Sequence, residues 1–231
     1  MALVQLGGGV TDMRGSIGGT TFSRGAGGNI ARARKKGINV RSNGQGEARA
    51  RLSYLSAHWK ALTEVQRVAW RAYSTATTWT NRLGQSISIN GLAAFVRTNT
   101  IALLVGSTIF EDAPTTPGLP GAIDFTAVIS AGDTPDLGIT AISAPMVLDT
   151  DDHYAIFFQS IPSSPGAIGR GRNMRFSDYL EGDTASPPTL PHDLIGSFTL
   201  VEGQNMTIES VYMDPEGRVS GRITKLFTIT A

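Results

Sequence analysis

Apolar positions recur at spacings of three and four between about residues 47 and 62, where Leu52, Leu55, Trp59 and Leu62 fall on one side of a helix. Thr63 then opens T-E-V-Q, a capping box in which Gln66 follows three residues on, so a second helix is predicted immediately after the first. Val65, Val68, Ala69, Ala72 and Tyr73 share its expected inner side. The short join makes the pair a helical hairpin, with Trp59 and Trp70 as anchors. A third helix is expected in SINGLAAFVRTNTIALLVG, with Leu92, Phe95, Val96, Asn99 and Leu103 on one side. Ser88 or Asn90 would cap it and Gly106 would stop it. EDAPTTPGLPG, with three prolines and two glycines, reads as a linker.

From residue 122 the period shortens. AIDFTAVIS, LGITAIS, HYAIFFQSI, NMRFSDYL, GSFTLV, MTIESVYM and GRITKLFTIT are seven short apolar or alternating runs divided by Gly, Pro, Asp and Asn. They predict an antiparallel β-sandwich of immunoglobulin or fibronectin type, with a jelly roll or a small barrel as the alternatives. The fold class expected is therefore α+β, in four parts: an arm over 1–46, a helical subdomain over 47–110, a linker over 111–121 and a sandwich over 122–231.

Composition changes the picture at the front. Twelve of the 27 glycines lie at or before Gly46, and residues 14–45 are rich in arginine and nearly free of acid. A segment with so few apolar side chains cannot build its own core. TTF, Asn29 with Ile30, and Ile38 with Val40 are nonetheless β-capable pieces, so we expect an extended arm that orders on a partner. Phe22, Ile30, Ile38 and Val40 are its apolar pegs, and Arg24, Arg32, Arg34, Lys35, Lys36 and Arg41 its charges.

Net charge sharpens this expectation. Residues 1–100 hold 14 Lys and Arg against 3 acids, or plus 11; residues 101–231 hold 6 against 16, or minus 10. The near-neutral total conceals two opposite fields, which suit different partners or head-to-tail association. The absence of cysteine excludes disulfides, thiolate metal sites and thiol nucleophiles. The start MALVQLGGGV lacks a basic n-region, so no secretory signal is expected, and no run approaches the roughly 20 apolar residues of a membrane span.

Candidate chemistry is sparse. His58, His153 and His192 are scattered, and no G-x-S-x-G elbow occurs. His58, beside Trp59, is expected on the helix surface or in packing. Asp149, Asp151, Asp152 and His153 cluster in LDTDDHY, but the glycine and distal glutamate of an EF-hand loop are missing, and a polar turn before a strand is expected. The glycine loops GAGGN and GRGRN lack phosphate-loop spacing and are expected to be turns. No enzyme activity, cofactor or metal is therefore expected. The basic arm could neutralise phosphates, yet the second helix offers only Arg67 and Arg71 beside bulky apolar groups, too few for a recognition helix.

The order of elements over about 15–117 resembles that of small tailed-phage and prophage proteins. The resemblance is carried by a G-x-I-G-G opening at 15–19, an S-R-x-x-G-G arm at 23–28, R-A-R at 32–34, Trp59, L-T-x-x-Q-R-x-A-W at 62–70 and N-G-x-x-x-F-x-x-x-N at 90–99. The last two are the more specific, and the whole covers a little under half the chain. The resemblance implies a virion structural component, made in the host cytoplasm. We expect a capsid cement or decoration protein or a neck-ring subunit, with copies of itself, the major capsid protein, portal or neck components as partners and no membrane. The alternatives are a nucleic-acid-binding phage protein and a tail- or fibre-associated sandwich protein that binds or acts on carbohydrate.

Overall fold

The computed structural model describes residues 2–3, 13–25, 28–34, 42–80, 85–131, 136–166, 174–195 and 198–231. It is a mixed α+β structure with antiparallel sheets. The chain divides into two compact units, Met1–Gly46 and Glu47–Ala231.

The first unit is a four-stranded sheet in the order β1 (Ala2–Leu3), β4 (Gly28–Ala33), β3 (Thr20–Gly25), β2 (Gly15–Ile17). An arm lying extended was expected; its described residues instead double back into a meander. The G-x-I-G-G opening is the reason. Ile17 pairs with Thr20 across a two-residue loop, and Gly18 takes φ +58, the positive value that a type II′ hairpin demands at its first loop position. Arg34 N–H donates to the Gly19 carbonyl at 2.8 Å and holds the end of β4 to that turn.

The second unit opens with α1 (Asn43–Ala61), α2 (Glu64–Ala76) and α3 (Gly91–Val105), with the short pair β5 (Trp79–Thr80) and β6 (Ser86–Ile87) between the last two. The Thr63 capping box forms in full, Asn90 caps α3, and Gly106 ends it at φ +75. Leu55 of α1 and Leu62 just beyond its end are buried as expected, but Leu52 is 53% exposed. On α2 the predicted side is mostly outward, with Val65 80% and Val68 51% exposed. Of that side Tyr73 faces inward, joined by Trp70, the expected anchor, and by Ser74, because the two large rings dock edge-on against Phe95 and Trp79 and fix the rotation of the helix. α2 lies along α3 rather than along α1.

Two sheets follow. One is β10 (Arg175–Glu181), β9 (Tyr154–Gln159), β12 (Asn205–Met213), β13 (Ile223–Thr228); the other is β11 (His192–Asp193), β8 (Asp136–Ile142), β7 (Phe125–Ser130). They enclose a common core of Phe125, Ile129, Ile139, Phe157, Leu180, Met206 and Ile208. Six of the seven expected strands form. The described residues of GSFTLV, 198–201, form none: Phe198 and Leu200 pack on the core from irregular backbone, and the pairing edge of β8 goes to His192–Asp193. The seam beside β7 is closed by Thr230, whose N–H donates to the Ile129 carbonyl, and by Lys225, which reaches Asp124 and the Phe125 carbonyl.

The helices are not separate from the sheets. Ile101, Ala102 and Val105 of α3 pack on Tyr154, Ile156, Phe158, Val211 and Met213, so β9 and the inner part of β12 are buried on both faces. The other side of α3 meets Leu55, Trp70 and Tyr73. This accounts for the buried residues around much of α3, against the single side predicted. The 111–121 segment, expected as a linker, is tied to the helices: Trp70 Nε1 donates to the Glu111 carbonyl at 2.8 Å, Gln66 Nε2 to Asp112 Oδ1 at 3.1 Å, and Gly118 N–H to Thr77 Oγ1 at 3.2 Å.

Candidate assembly interface

In the first unit, strand register sorts the side chains. Phe22 pairs with Ala31 and Gly15, and Thr20 pairs with Ile17 and Ala33, so Ile17, Phe22, Ala31 and Ala33 share one face. Ile30 and Arg32 lie on the other face, with Ser16, Thr21 and Ser23, whose hydroxyls include a Ser16–Thr21 bond of 2.9 Å. The apolar pegs Phe22 and Ile30 therefore point to opposite sides of the sheet. Ile17, 71% exposed and absent from the expected set, joins Phe22. Its signal was the alternation G-S-I, hidden by the glycines around it. Arg32 and Arg34 are exposed, and Arg24 pairs with Asn29 in β3 and β4. Lys35, Lys36, Ile38, Val40 and Arg41 lie outside the described residues, as does the GRGRN loop; of GAGGN, Ala26 and Gly27 do. Among residues 13–23 and 29–34 none is buried.

The two specific motifs resolve into joints. In the 90–99 motif, Asn90 Oδ1 accepts from Ala93 N–H at 2.8 Å, Gly91 seats against the backbone of Arg71 where a Cβ would not fit, and Phe95 is fully buried. Asn99 accepts from Phe110 N–H at 2.7 Å and donates to the carbonyls of Phe95 and Phe110 at 3.1 Å each. In the 62–70 motif, Leu62 and Trp70 are core, and Thr63 and Gln66 are the cap. Glu64 pairs with Arg67 and Arg71, and its hydrogen bond from Arg71 holds its carboxyl below the usual range. Both motifs serve architecture.

The histidines stay apart and each is engaged. His58 stacks on Phe95 and meets Glu111 at 3.1 Å; His153 Nδ1 meets the Tyr212 hydroxyl at 2.6 Å; His192 Nε2 meets Asp178 at 3.2 Å. In LDTDDHY, Asp151 accepts from the N–H and hydroxyl of Thr184 at 2.6 and 2.8 Å, bonds that lower its pKa, and Asp152 turns the chain at φ +62. The segment is a turn leading into β9. Among the described residues no group of three His, Asp or Glu is placed to hold a metal ion. An open groove of about 730 Å³ lies between α2 and the start of α3, lined by Trp59, Arg71, Ser74, Ser88 and Asn90. No helix among the described residues is long and apolar enough to cross a membrane.

One basic pair escaped the sequence reading. Arg97, the lone charge in LAAFVRTNTIALLV, donates to the Ser220 carbonyl at 3.3 Å and lies over Trp79, 5.4 Å from the ring centre. Partial enclosure of its guanidinium, together with the charge of nearby Arg222, pushes its pKa down. Arg222 lies over Phe158 at 4.9 Å and donates to Glu209 at 2.9 Å; Glu209 also accepts from Thr224. The only earlier signal was a cation placed where a helix face should be apolar.

No protein-family model matches the chain, and no curated protein or solved structure matches it either.

Proposed function

We propose that this protein is a structural component of a bacteriophage virion, a capsid cement or decoration protein or a neck-ring subunit, that joins neighbouring subunits through residues 1–46. The supporting observation is a sheet in which no residue of 13–23 or 29–34 is buried, within a compact unit of its own, Met1–Gly46. An antiparallel sheet needs one covered apolar face to be independently stable, so a face carrying Ile17, Phe22, Ala31 and Ala33 calls for a surface to lie on. The order of motifs over 15–117 and the opposed charges of the two halves support a partner that is protein. Contacts repeated around a symmetric lattice add through effective concentration, so each one can be weak.

Deletion of residues 1–46 tests the reading. The remaining chain is expected to melt cooperatively, because Leu55 is the first residue in the buried clusters, and to fail to enter particles. Normal incorporation of the truncated chain would sink the proposal. The exposed Arg32 and Arg34 keep a second reading in play, nucleic-acid binding. It requires duplex affinity that falls steeply with salt and is lost on R32A/R34A.

A further inference from the structure

The chain holds two Asn–Gly pairs, Asn43–Gly44 and Asn90–Gly91, and the fold treats them in opposite ways. With no side chain on the following residue to obstruct it, the glycine nitrogen of such a pair can close on the asparagine carboxamide. Asn90 is held from doing so. Its Oδ1 is turned forward onto Ala93 N–H at 2.8 Å, and its backbone is extended at ψ 165. Gly91 is buried, so close to Arg71 that a Cβ on it would stand 2.9 Å from the Arg71 backbone nitrogen. Turning the carboxamide back onto Gly91 would therefore cost the α3 cap.

Asn43 has none of these restraints. It is exposed, and its side chain has no hydrogen-bond partner among the described residues. Gly44 is exposed as well, with nothing within 4 Å of its missing Cβ. As the second residue of α1 it stands too early for its N–H to reach a carbonyl within the helix. Residues 43–50 are all exposed and the buried residue of α1 is Leu55, so the first turn opens without breaking any packing. Glycine at 44 and at 46 weakens that turn further. We infer that Asn43 is a site of self-modification by deamidation. The Gly44 nitrogen gives its proton to hydroxide and bonds to the side-chain carbonyl carbon of Asn43; the bond from that carbon to Nδ2 breaks, and ammonia leaves with a proton taken from water. Water then opens the cyclic imide on one side or the other, leaving aspartate or isoaspartate at position 43. Either product adds a negative charge to a stretch, 14–45, that is nearly free of acid, and isoaspartate also reroutes the main chain through the side chain just before the boundary at Gly46.

The test keeps the full chain at neutral and at mildly alkaline pH and follows both asparagines by peptide mass mapping, with isoaspartate scored by enzymatic methylation. Trypsin places them in separate peptides, 42–49 and 83–97. In the native chain position 43 is expected to convert at least about tenfold faster than position 90, and faster as pH rises; in urea, where the α3 cap is lost, the two rates should draw together. Gly44→Val, whose branched side chain blocks the approach, should stop conversion at 43 and leave 90 unaffected. Gly46→Ala, which tightens the first turn, should slow it severalfold. Melting curves check that both variants are folded. Asn43 left intact in the native chain while the urea-treated chain converts overturns the inference, as does native Asn90 converting as fast as Asn43. A rate at 43 unmoved by Gly46→Ala overturns it too, since the opening of that turn is what exposes the site. The chemistry needs no particle, so its failure leaves the incorporation experiment standing by itself.

Discussion

Asn99 is fully buried and gives its whole side-chain amide to backbone groups of Phe95 and Phe110. Asn99→Ala would strand the Phe110 N–H and leave two carbonyls short of a donor, at a cost of about 2–4 kcal/mol that a urea melt should register. Two glycines give a sharper contrast. Gly182 is buried against the backbone carbonyls of Val147 and Thr150, and a Cβ there would overlap both, so Gly182→Ala is expected to destabilise by about 3 kcal/mol. Gly46 is exposed within α1 with nothing near the position of its missing Cβ. Gly46→Ala should therefore stabilise, by about 0.5–1 kcal/mol.

At the scale of elements, burial separates the two sheet systems. β9 is buried at all six positions and β12 at eight of nine, whereas β2 is exposed throughout. Hydrogen exchange should accordingly be slowest in β9 and β12, approaching the global unfolding limit, and far faster in the amides of β2. Equal protection in the free chain would mean that the first sheet is covered. The helix caps and six strands were legible in the sequence because capping and alternation are local. The inward side of α2 was legible in part: Tyr73 and the anchor Trp70 are inside as expected, but they outweigh Val65 and Val68 only once Phe95 and Trp79 are in place to receive them. The bond from Arg97 to the Ser220 carbonyl was not legible, since it joins residues 123 positions apart. The doubling back of residues 15–33 could have been read from Gly18 and Gly19, had glycine been weighed as a hairpin signal before it was weighed as looseness.

For the molecule as a whole, two families of ionisable groups set the pH limits. Burial, aided by a hydrogen bond to Glu181, pushes Tyr154 up to about 12; burial, with the charge of Asp214, does the same for Tyr212. Unfolded tyrosine ionises near 10, so below that pH this contribution is fully present, and it is lost as pH rises from about 10 to 12. Alkaline titration followed by phenolate absorbance should show these two rings ionising late, together with unfolding, and Tyr212→Phe should remove one of them. Hydrogen bonds hold Asp151, Glu216, Asp124 and Glu64 below the usual carboxylate range, an effect of opposite direction. Their contribution is present above about pH 4 and disappears as acid protonates them, so melting temperature should fall on both sides of neutrality. The closed packing of helices and sheets also bears on how such a chain can change over generations. With the described members of the three buried clusters drawn from Leu55 onward, substitutions in residues 13–23 and 29–34 should disturb none of that packing. Such positions can drift one at a time, whereas a change in β9 or β12 has to be matched by the side chains packed on both of their faces.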